Sequence, residues 1–271
     1  MAGVYNGGSG GQPVLSLYPV RRTETGLVAH LWLYYITDRK QFRGRPQEQR
    51  QRLLDKIAEA ARCGVEFIQL REKDLSSPDL ELLACEAAVV MKENLPDVAN
   101  FSAETFPAKT TRLLISSRVD IAIAVGADGV HLPANDINAV EVRAIWNKSV
   151  SITGLPQTQP IIAVSCHSPE DVRRAATEGG DFAVFAPVFE KMIAPSEKRP
   201  GVGLTALCAA TEQSSGGSAG QGRSKFPVVA LGGVTLENAG LCLQSGAVGV
   251  AGIRLFQEND VRLIVDRLRN S

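Results

Sequence analysis

The sequence predicts a single-domain α/β fold, a TIM-type (β/α)8 barrel, and three observations predict it. From Leu31 onward, short runs rich in β-branched residues alternate with longer amphipathic stretches through to the C-terminus. Eight strand candidates can be counted, each followed by a helix candidate. Several helices also end in glycine just before the next strand, at Cys63-Gly64-Val65, Gly126-Ala127-Asp128-Gly129, Gly179-Gly180 and Gly246-Ala247-Val248-Gly249. Glycine there accepts the left-handed conformation that closes a helix. Its recurrence reads as an internal βα repeat, and eight such units close into a barrel more naturally than they form an open sheet.

The strand candidates lie at 34–37, 66–70, 112–115, 129–132, 161–165, 182–185, 228–231 and 249–252. Helical spacing of apolar residues falls at roughly 47–63, 78–93, 118–126, 136–146, 169–178, 203–212, 235–245 and 257–269. A doubly wound open sheet is the alternative architecture. Its phosphate fingerprint would place G-x-G-x-x-G after the first strand, whereas Tyr35-Ile36-Thr37-Asp38-Arg39 contains no glycine. Residues 1–28 open with a Gly-rich stretch (GGSGGQP) and show no sustained periodicity, so they read as a flexible N-terminal extension. A Ser/Gly-rich segment near 213–225 reads as a mobile loop joining a helix to a strand, at the barrel face away from chemistry.

A chain of 271 residues with 44% hydrophobic and 21% charged residues suits one large domain with a sizeable core. Formal net charge is zero and no basic stripe is interleaved with aromatics, so nucleic acid is not an expected partner. The five cysteines are scattered without CxxC or metal-type spacing, as in a reducing compartment. No apolar run reaches the roughly 18 residues of a membrane span, and no signal peptide is visible. The expectation is a cytoplasmic protein that does not engage a membrane; a homo-oligomer is compatible with the sequence.

In such a barrel the chemistry sits at the C-terminal ends of the strands and in the loops that follow them. After strand two comes Gln69-Leu70-Arg71-Glu72-Lys73, where alternation puts Gln69, Arg71 and Lys73 on one side. Two cations facing one cavity fit an anionic ligand; equally, Arg71 and Glu72 could pair at the rim. After strands seven and eight come Leu231-Gly232-Gly233-Val234-Thr235 and Ala251-Gly252-Ile253-Arg254. Glycines there let backbone amides approach a phosphate, with a helix N-terminus behind them. Strand five ends Ser165-Cys166-His167-Ser168, which makes His167 either an acid or base at the rim or a loop residue held by one hydrogen bond. Cys166 has the opposite parity and reads as a packing residue. In Val130-His131-Leu132-Pro133-Ala134-Asn135-Asp136, the carboxylate of Asp136 either ligates Mg²⁺ or caps the following helix, and His131 reads as a core or supporting residue.

Taken in order, Tyr35-Ile36-Thr37-Asp38, Gln69-Leu70-Arg71-Glu72-Lys73, Arg118-Val119-Asp120 with Gly126-Ala127-Asp128-Gly129-Val130-His131-Leu132, Ser165-Cys166-His167-Ser168 and Leu231-Gly232-Gly233-Val234-Thr235 resemble the thiamin phosphate synthase and TenI thiazole tautomerase superfamily over residues 33–256. The resemblance implies a small phosphorylated thiazole as ligand, held by Gly232, Gly233 and the Gly252–Ile253 backbone. In the synthase branch a pyrimidine diphosphate joins it, with Gln69 and Lys73 contacting the pyrimidine substrate and Asp136 serving as one Mg²⁺ ligand. In the tautomerase branch no cofactor is required, and His167 matches the catalytic histidine in its Ser-x-His-Ser setting. Arg71 and Ser165 join the expected substrate-binding set.

The chain departs from the family pattern in three places. Ser116-Ser117-Arg118 stands where synthases carry Asn-Asp-Arg, so one metal carboxylate is missing. The Thr-x-Thr-Lys phosphate loop is replaced by a segment containing Glu190 and Lys191, in which Lys191 or Lys198 could supply charge. Arg254 occupies a position usually held by Ser, where it either strengthens phosphate binding or occludes the pocket. The loss of the metal carboxylate leans the reading toward a tautomerase. A synthase that recruits Mg²⁺ through Asp136, or a non-catalytic binding or regulatory barrel, stands as the alternative.

Overall fold

The structure, a computed structural model, describes residues 21–23, 26–28, 31–94, 111–153, 159–194, 197–213 and 225–270. Of residues 21–23, 26–28, 150, 153, 191–194 and 197–199 it describes the backbone alone. Eight parallel strands form one closed barrel: β1 (Trp32–Ile36), β2 (Phe67–Leu70), β3 (Arg112–Ser116), β4 (Gly129–Leu132), β5 (Ile161–Cys166), β6 (Phe182–Phe185), β7 (Val228–Leu231) and β8 (Gly249–Gly252). Each pairs with its sequence neighbours, and β8 pairs with β1 to close the ring. The expected fold class is what the chain adopts.

The surrounding helices are α1 (Pro46–Arg62), α2 (Ser77–Glu93), α3 (Val119–Ala124), α4 (Ala139–Thr153), α5 (Pro169–Thr177), α6 (Gly203–Gln213), α7 (Ala239–Gln244), α8 (Arg254–Gln257) and α9 (Val261–Arg269). The single helix expected at 257–269 is thus two. Glu258 and Asn259 interrupt it, and the Asp260 carboxylate caps α9 by accepting from Leu263 N at 3.0 Å. Residues 21–23 pair with 26–28 as a short antiparallel hairpin, and 1–20 lie outside the described residues, as do 214–224 of the expected mobile loop. A second hairpin, Lys191–Ala194 with Glu197–Arg199, follows β6 and was not expected from the sequence.

Strand alternation divides the apolar residues into two cores. One set points outward beneath the helices, including Leu33, Tyr35, Ile68, Ile115, Val130, Ile162, Cys166 and Phe185. The other fills the barrel: Trp32, Tyr34, Phe67 and Phe182 meet edge-on or tilted at ring-centroid distances of 5.0–5.9 Å, backed by Leu114, Ala163, Val184, Val229 and Ala251. This aromatic plug closes the barrel from below, so a ligand can enter only at the C-terminal mouth.

At the opposite end an acidic residue precedes three of the even-numbered strands. Each turns back to accept the amide of the second residue in the strand before: Leu33 N to Glu66 Oε2 at 2.8 Å, Leu113 N to Asp128 Oδ2 at 2.8 Å, and Ile162 N to Asp181 Oδ2 at 2.7 Å. The other carboxylate contacts go to Arg269, Arg112 and Arg143. The fourth equivalent position is Val248, which keeps the backbone bond to the strand before, Val248 N to Val228 O, as Asp128 and Asp181 do, but has no carboxylate to offer. The recurrent Gly-x-acid spelling of the helix-to-strand turns therefore has a job, satisfying strand-start amides that would otherwise be buried without a partner.

Candidate active site

The mouth is built from the interior-facing ends of the strands. Parity places Gln69 above Phe67 on β2, Ser116 above Leu114 on β3, His131 on β4, Ser165 above Ala163 on β5 and Leu231 above Val229 on β7. His131 is buried and bonded at both ring nitrogens, Nδ1 to Tyr34 Oη at 2.8 Å and Nε2 to Ser165 Oγ at 2.9 Å. Tyr34 Oη is fully buried with no other partner among the described residues, so its proton has one place to go, His131 Nδ1. Nε2–H then donates to Ser165 Oγ, and the Ser165 hydroxyl hydrogen is left to serve the mouth. Desolvation is the main cause, and the nearby Arg71 charge a lesser one, that holds the His131 pKa down at about 3. His131 is thus a neutral orienting group, in line with the supporting role expected of it.

His167 stands exposed at the rim, where β5 passes into α5. Its Nδ1 meets Ala186 O at 2.6 Å. A carbonyl only accepts, so Nδ1 carries the proton and Nε2 presents its lone pair to solvent or ligand. Its backbone amide donates to Asp171 Oδ2 at 3.0 Å, and Asp171 also takes the Ser168 amide and an Arg174 guanidinium. Of the two readings of His167 left open by the sequence, the loop hydrogen bond is present, and it leaves Nε2 without a partner among the described residues. Sequence inspection passed over Asp171 as the residue fixing that loop. The capping box Ser168-x-x-Asp171 at the start of α5 is the signal that would have found it.

Around β2 the Arg71–Glu72 rim pair, one of the two readings the sequence left open, does not form. Glu72 does not bind Arg71; it accepts from Thr37 Oγ1 at 2.8 Å and from Arg39 Nη1 at 2.9 Å. Arg39 also forks onto Asp74, and Lys40 reaches Asp74 at 3.1 Å. The acids of the Arg71-Glu72-Lys73-Asp74 run are therefore used by the β1 loop. Arg71, its amide held by Thr37 Oγ1 at 2.9 Å, and Lys73 have no ion-pair partner among the described residues. The strand ends at Leu70, so alternation reaches Arg71 but not Lys73, which sits exposed in the following turn. Gln69 is buried, and its Oε1 has no hydrogen-bond partner among the described residues. An orphaned carbonyl beside the mouth costs about 1–3 kcal/mol unless a ligand or water donates to it.

On the other side of the ring, Gly232 (φ 97°) and Gly233 (φ 65°) follow β7. A Cβ on Gly232 would lie 2.6 Å from Pro187 Cα, and one on Gly233 would lie 2.6 Å from Glu190 O. Glycine is required because the loop after β6 lies against this turn, tied by Val188 N to Leu231 O and Phe189 N to Gly232 O, both at 2.9 Å. That close approach is a structural reason beyond the phosphate cup the sequence suggested. Gly252 ends β8 and Ile253 leads into α8, whose first residue, Arg254, is exposed with no described ion-pair partner. Lys191 falls on the hairpin whose side chains lie outside the described residues.

Asp136 does not cap α4. Asn138 does, its Oδ1 accepting from Glu141 N at 2.9 Å while Glu141 accepts from Asn138 N. The Asp136 side chain is exposed and one of its oxygens takes Ile137 N at 2.8 Å. Ser117, where the family pattern carries an acid, sits in the left-handed region at φ 58° with its amide on His131 O at 3.0 Å. Among the described residues no three His, Cys, Asp or Glu side chains converge on a point that could hold a metal.

The chain is a single-domain (β/α)8 barrel plugged below, with a buried Gln69 acceptor, cations lacking ion pairs among the described residues, and glycine turns around its mouth. The chain belongs to the thiamine monophosphate synthase/TenI family, whose model matches residues 33–256. A putative thiamine-phosphate synthase 2 of Aquifex aeolicus is 34% identical over 83% of this chain and 97% of its own. A putative thiamine-phosphate synthase of Geobacter sulfurreducens is 37% identical over 81% of this chain and 83% of its own. Among solved structures, a thiamine phosphate pyrophosphorylase from Pyrococcus furiosus superposes with a TM-score of 0.60 at 27% identity, covering 89% of this chain and 94% of that one. Among the described residues no helix is long and apolar enough to cross a membrane.

Proposed function

We propose that the barrel joins a hydroxymethylpyrimidine diphosphate to a thiazole phosphate, releasing pyrophosphate and forming thiamine phosphate. The observation that carries this reading is the buried, partnerless Oε1 of Gln69 at the mouth. A carboxamide can pair two-pronged with an aminopyrimidine, Oε1 accepting from the exocyclic amine and Nε2 donating to a ring nitrogen. A ligand made of thiazole alone has no such edge. The names of the relatives point the same way, to synthase rather than to the tautomerase toward which the missing metal carboxylate leans.

In the coupling, the thiazole nitrogen bonds to the pyrimidine methylene carbon as the bond from that carbon to the diphosphate oxygen breaks. The diphosphate leaves with the electron pair. Gln69 orients the pyrimidine, Arg71 and Lys73 face the departing anion, and the Ser165 hydroxyl, turned upward by His131, adds a donor at the mouth. The amides at Gly232, Gly233, Gly252 and Ile253 take the thiazole phosphate. Mg²⁺, implied by the synthase branch, does not fit a protein-held site here. Ser117 lacks the carboxylate, and Asp136 is exposed with one oxygen already engaged. No step is assigned to it.

A second reading, thiazole tautomerase, draws on the open Nε2 of His167. Chromatography of reactions holding both substrates and Mg²⁺ distinguishes the two. Thiamine phosphate formed by the wild type and lost in Gln69→Met supports the synthase. Absence of that product, with tautomer conversion that disappears in His167→Asn, supports the tautomerase.

A further inference from the structure

The cations at the mouth are divided by what surrounds them. Arg39 and Lys40 on the β1 loop consume both acids of the β2 loop, Glu72 and Asp74. Arg71 and Lys73 beside those acids, and Arg254 on α8, have no ion-pair partner among the described residues, whereas Arg112, Arg118, Arg143, Arg174 and Arg269 are all paired elsewhere on the molecule. The barrel order β8-β1-β2 gathers Arg71, Lys73 and Arg254 into one sector of the rim. The lowering of the His131 pKa by Arg71 puts that guanidinium's field inside the mouth. Gln69, whose buried Oε1 has no hydrogen-bond partner among the described residues, faces the barrel interior from β2 in the same sector. On β3, next to β2, and on β4 beyond it, the two places where a metal would find carboxylates hold Ser117 and the exposed Asp136.

We propose that this chain neutralises its diphosphate ligand with fixed side-chain cations, Arg71, Lys73 and Arg254, and that a divalent metal adds little to the affinity. This rests on the synthase reading above. Guanidinium forks supply directional, permanent charge to phosphate oxygens, so the positive charge that Mg²⁺ would bring is already built into the wall. Arg254, a departure from the family's Ser, is then a compensation for Ser117.

The test is calorimetric titration of the full chain with inorganic pyrophosphate, once with Mg²⁺ and once with a chelator. Binding is expected in both buffers, with dissociation constants within about threefold of each other, a difference well under the 1.4 kcal/mol that separates tenfold affinities. Arg71→Gln and Arg254→Gln should each weaken metal-free binding by about tenfold. Ser117→Asp should reverse the pattern, weakening metal-free binding and making Mg²⁺ improve affinity by about tenfold or more. Asp tolerates the left-handed backbone at this position, so that variant should fold. Wild-type affinity that rises about tenfold with Mg²⁺, or no binding without it, overturns the proposal. So does unchanged binding in both arginine variants. Failure of the synthase reading is seen separately, as absence of thiamine phosphate in the two-substrate assay whatever the titrations show.

Discussion

Acid lability traceable to one buried imidazole follows from the placement of His131. In the folded chain its pKa is held down at about 3 by burial, against the ordinary 6.5 it regains on unfolding. The folded-state value is the lower one, so the unfolded chain takes up the proton first as pH falls. The contribution is complete above pH ~6.5 and is lost progressively toward pH ~3, at a limiting slope of about 1.4 kcal/mol per pH unit. Integrated, it removes about 1.4 kcal/mol by pH ~5.5 and about 2.7 kcal/mol by pH ~4.5. Replacing His131 with Gln keeps an amide donor for Ser165 but cannot titrate. Leaving Tyr34 Oη unpaired lowers its stability by an offset that does not depend on pH in this range. Urea unfolding of both proteins between pH ~7.5 and ~4.5 should show wild-type stability falling relative to the variant by about 3 kcal/mol. A difference that stays flat across that range refutes the burial of a neutral ring bonded to Tyr34 and Ser165.

Three further outcomes are expected. Gln69→Met, which removes a buried acceptor without a partner among the described residues while keeping the volume, should raise stability by about 1–3 kcal/mol, yet lower kcat/KM for the two-substrate reaction by about a hundredfold. Denaturant melts and steady-state kinetics check the pair of effects. Asp181→Ala strips Ile162 N of its acceptor and Arg143 of its counter-charge, and should cost about 3 kcal/mol, read as a Tm fall on the order of 8 °C; Asp181→Asn should cost about 1 kcal/mol. Thiol titration of the native protein at mild alkaline pH should label exposed Cys85 rapidly and leave Cys166 unreacted until unfolding, since burial pushes its thiol up to about 12.

The bounds of β4, β6, β7 and β8 could be read directly from the sequence, because glycine or acid-bearing turns bracket their β-branched runs. Elsewhere, side chains moved the boundaries. β2 begins at Phe67 rather than Glu66 because Glu66 is drawn off to the Leu33 amide. α7 begins at Ala239 rather than near Thr235 because the Asn238 carboxamide links Thr235 N and Gly233 O in a turn ahead of it. At the mouth, parity placed Gln69, His167 and Ser165, since a period of two is local information. Contacts between strands were not legible: Tyr34 with His131, Glu72 with Arg39 in preference to neighbouring Arg71, and the Ala186 carbonyl that fixes the His167 tautomer. A backbone carbonyl leaves no mark in a sequence, and a carboxylate's choice between two arginines depends on which loop folds over it.

The most direct test of the central claim is the electron density of a crystal soaked with thiamine phosphate and pyrophosphate. The account predicts the aminopyrimidine edge on the Gln69 carboxamide, the ester phosphate on the amides of Gly233 and Ile253, and pyrophosphate against Arg71 and Lys73. A pyrimidine ring bound away from Gln69, or a phosphate bound outside the glycine turns, would contradict it.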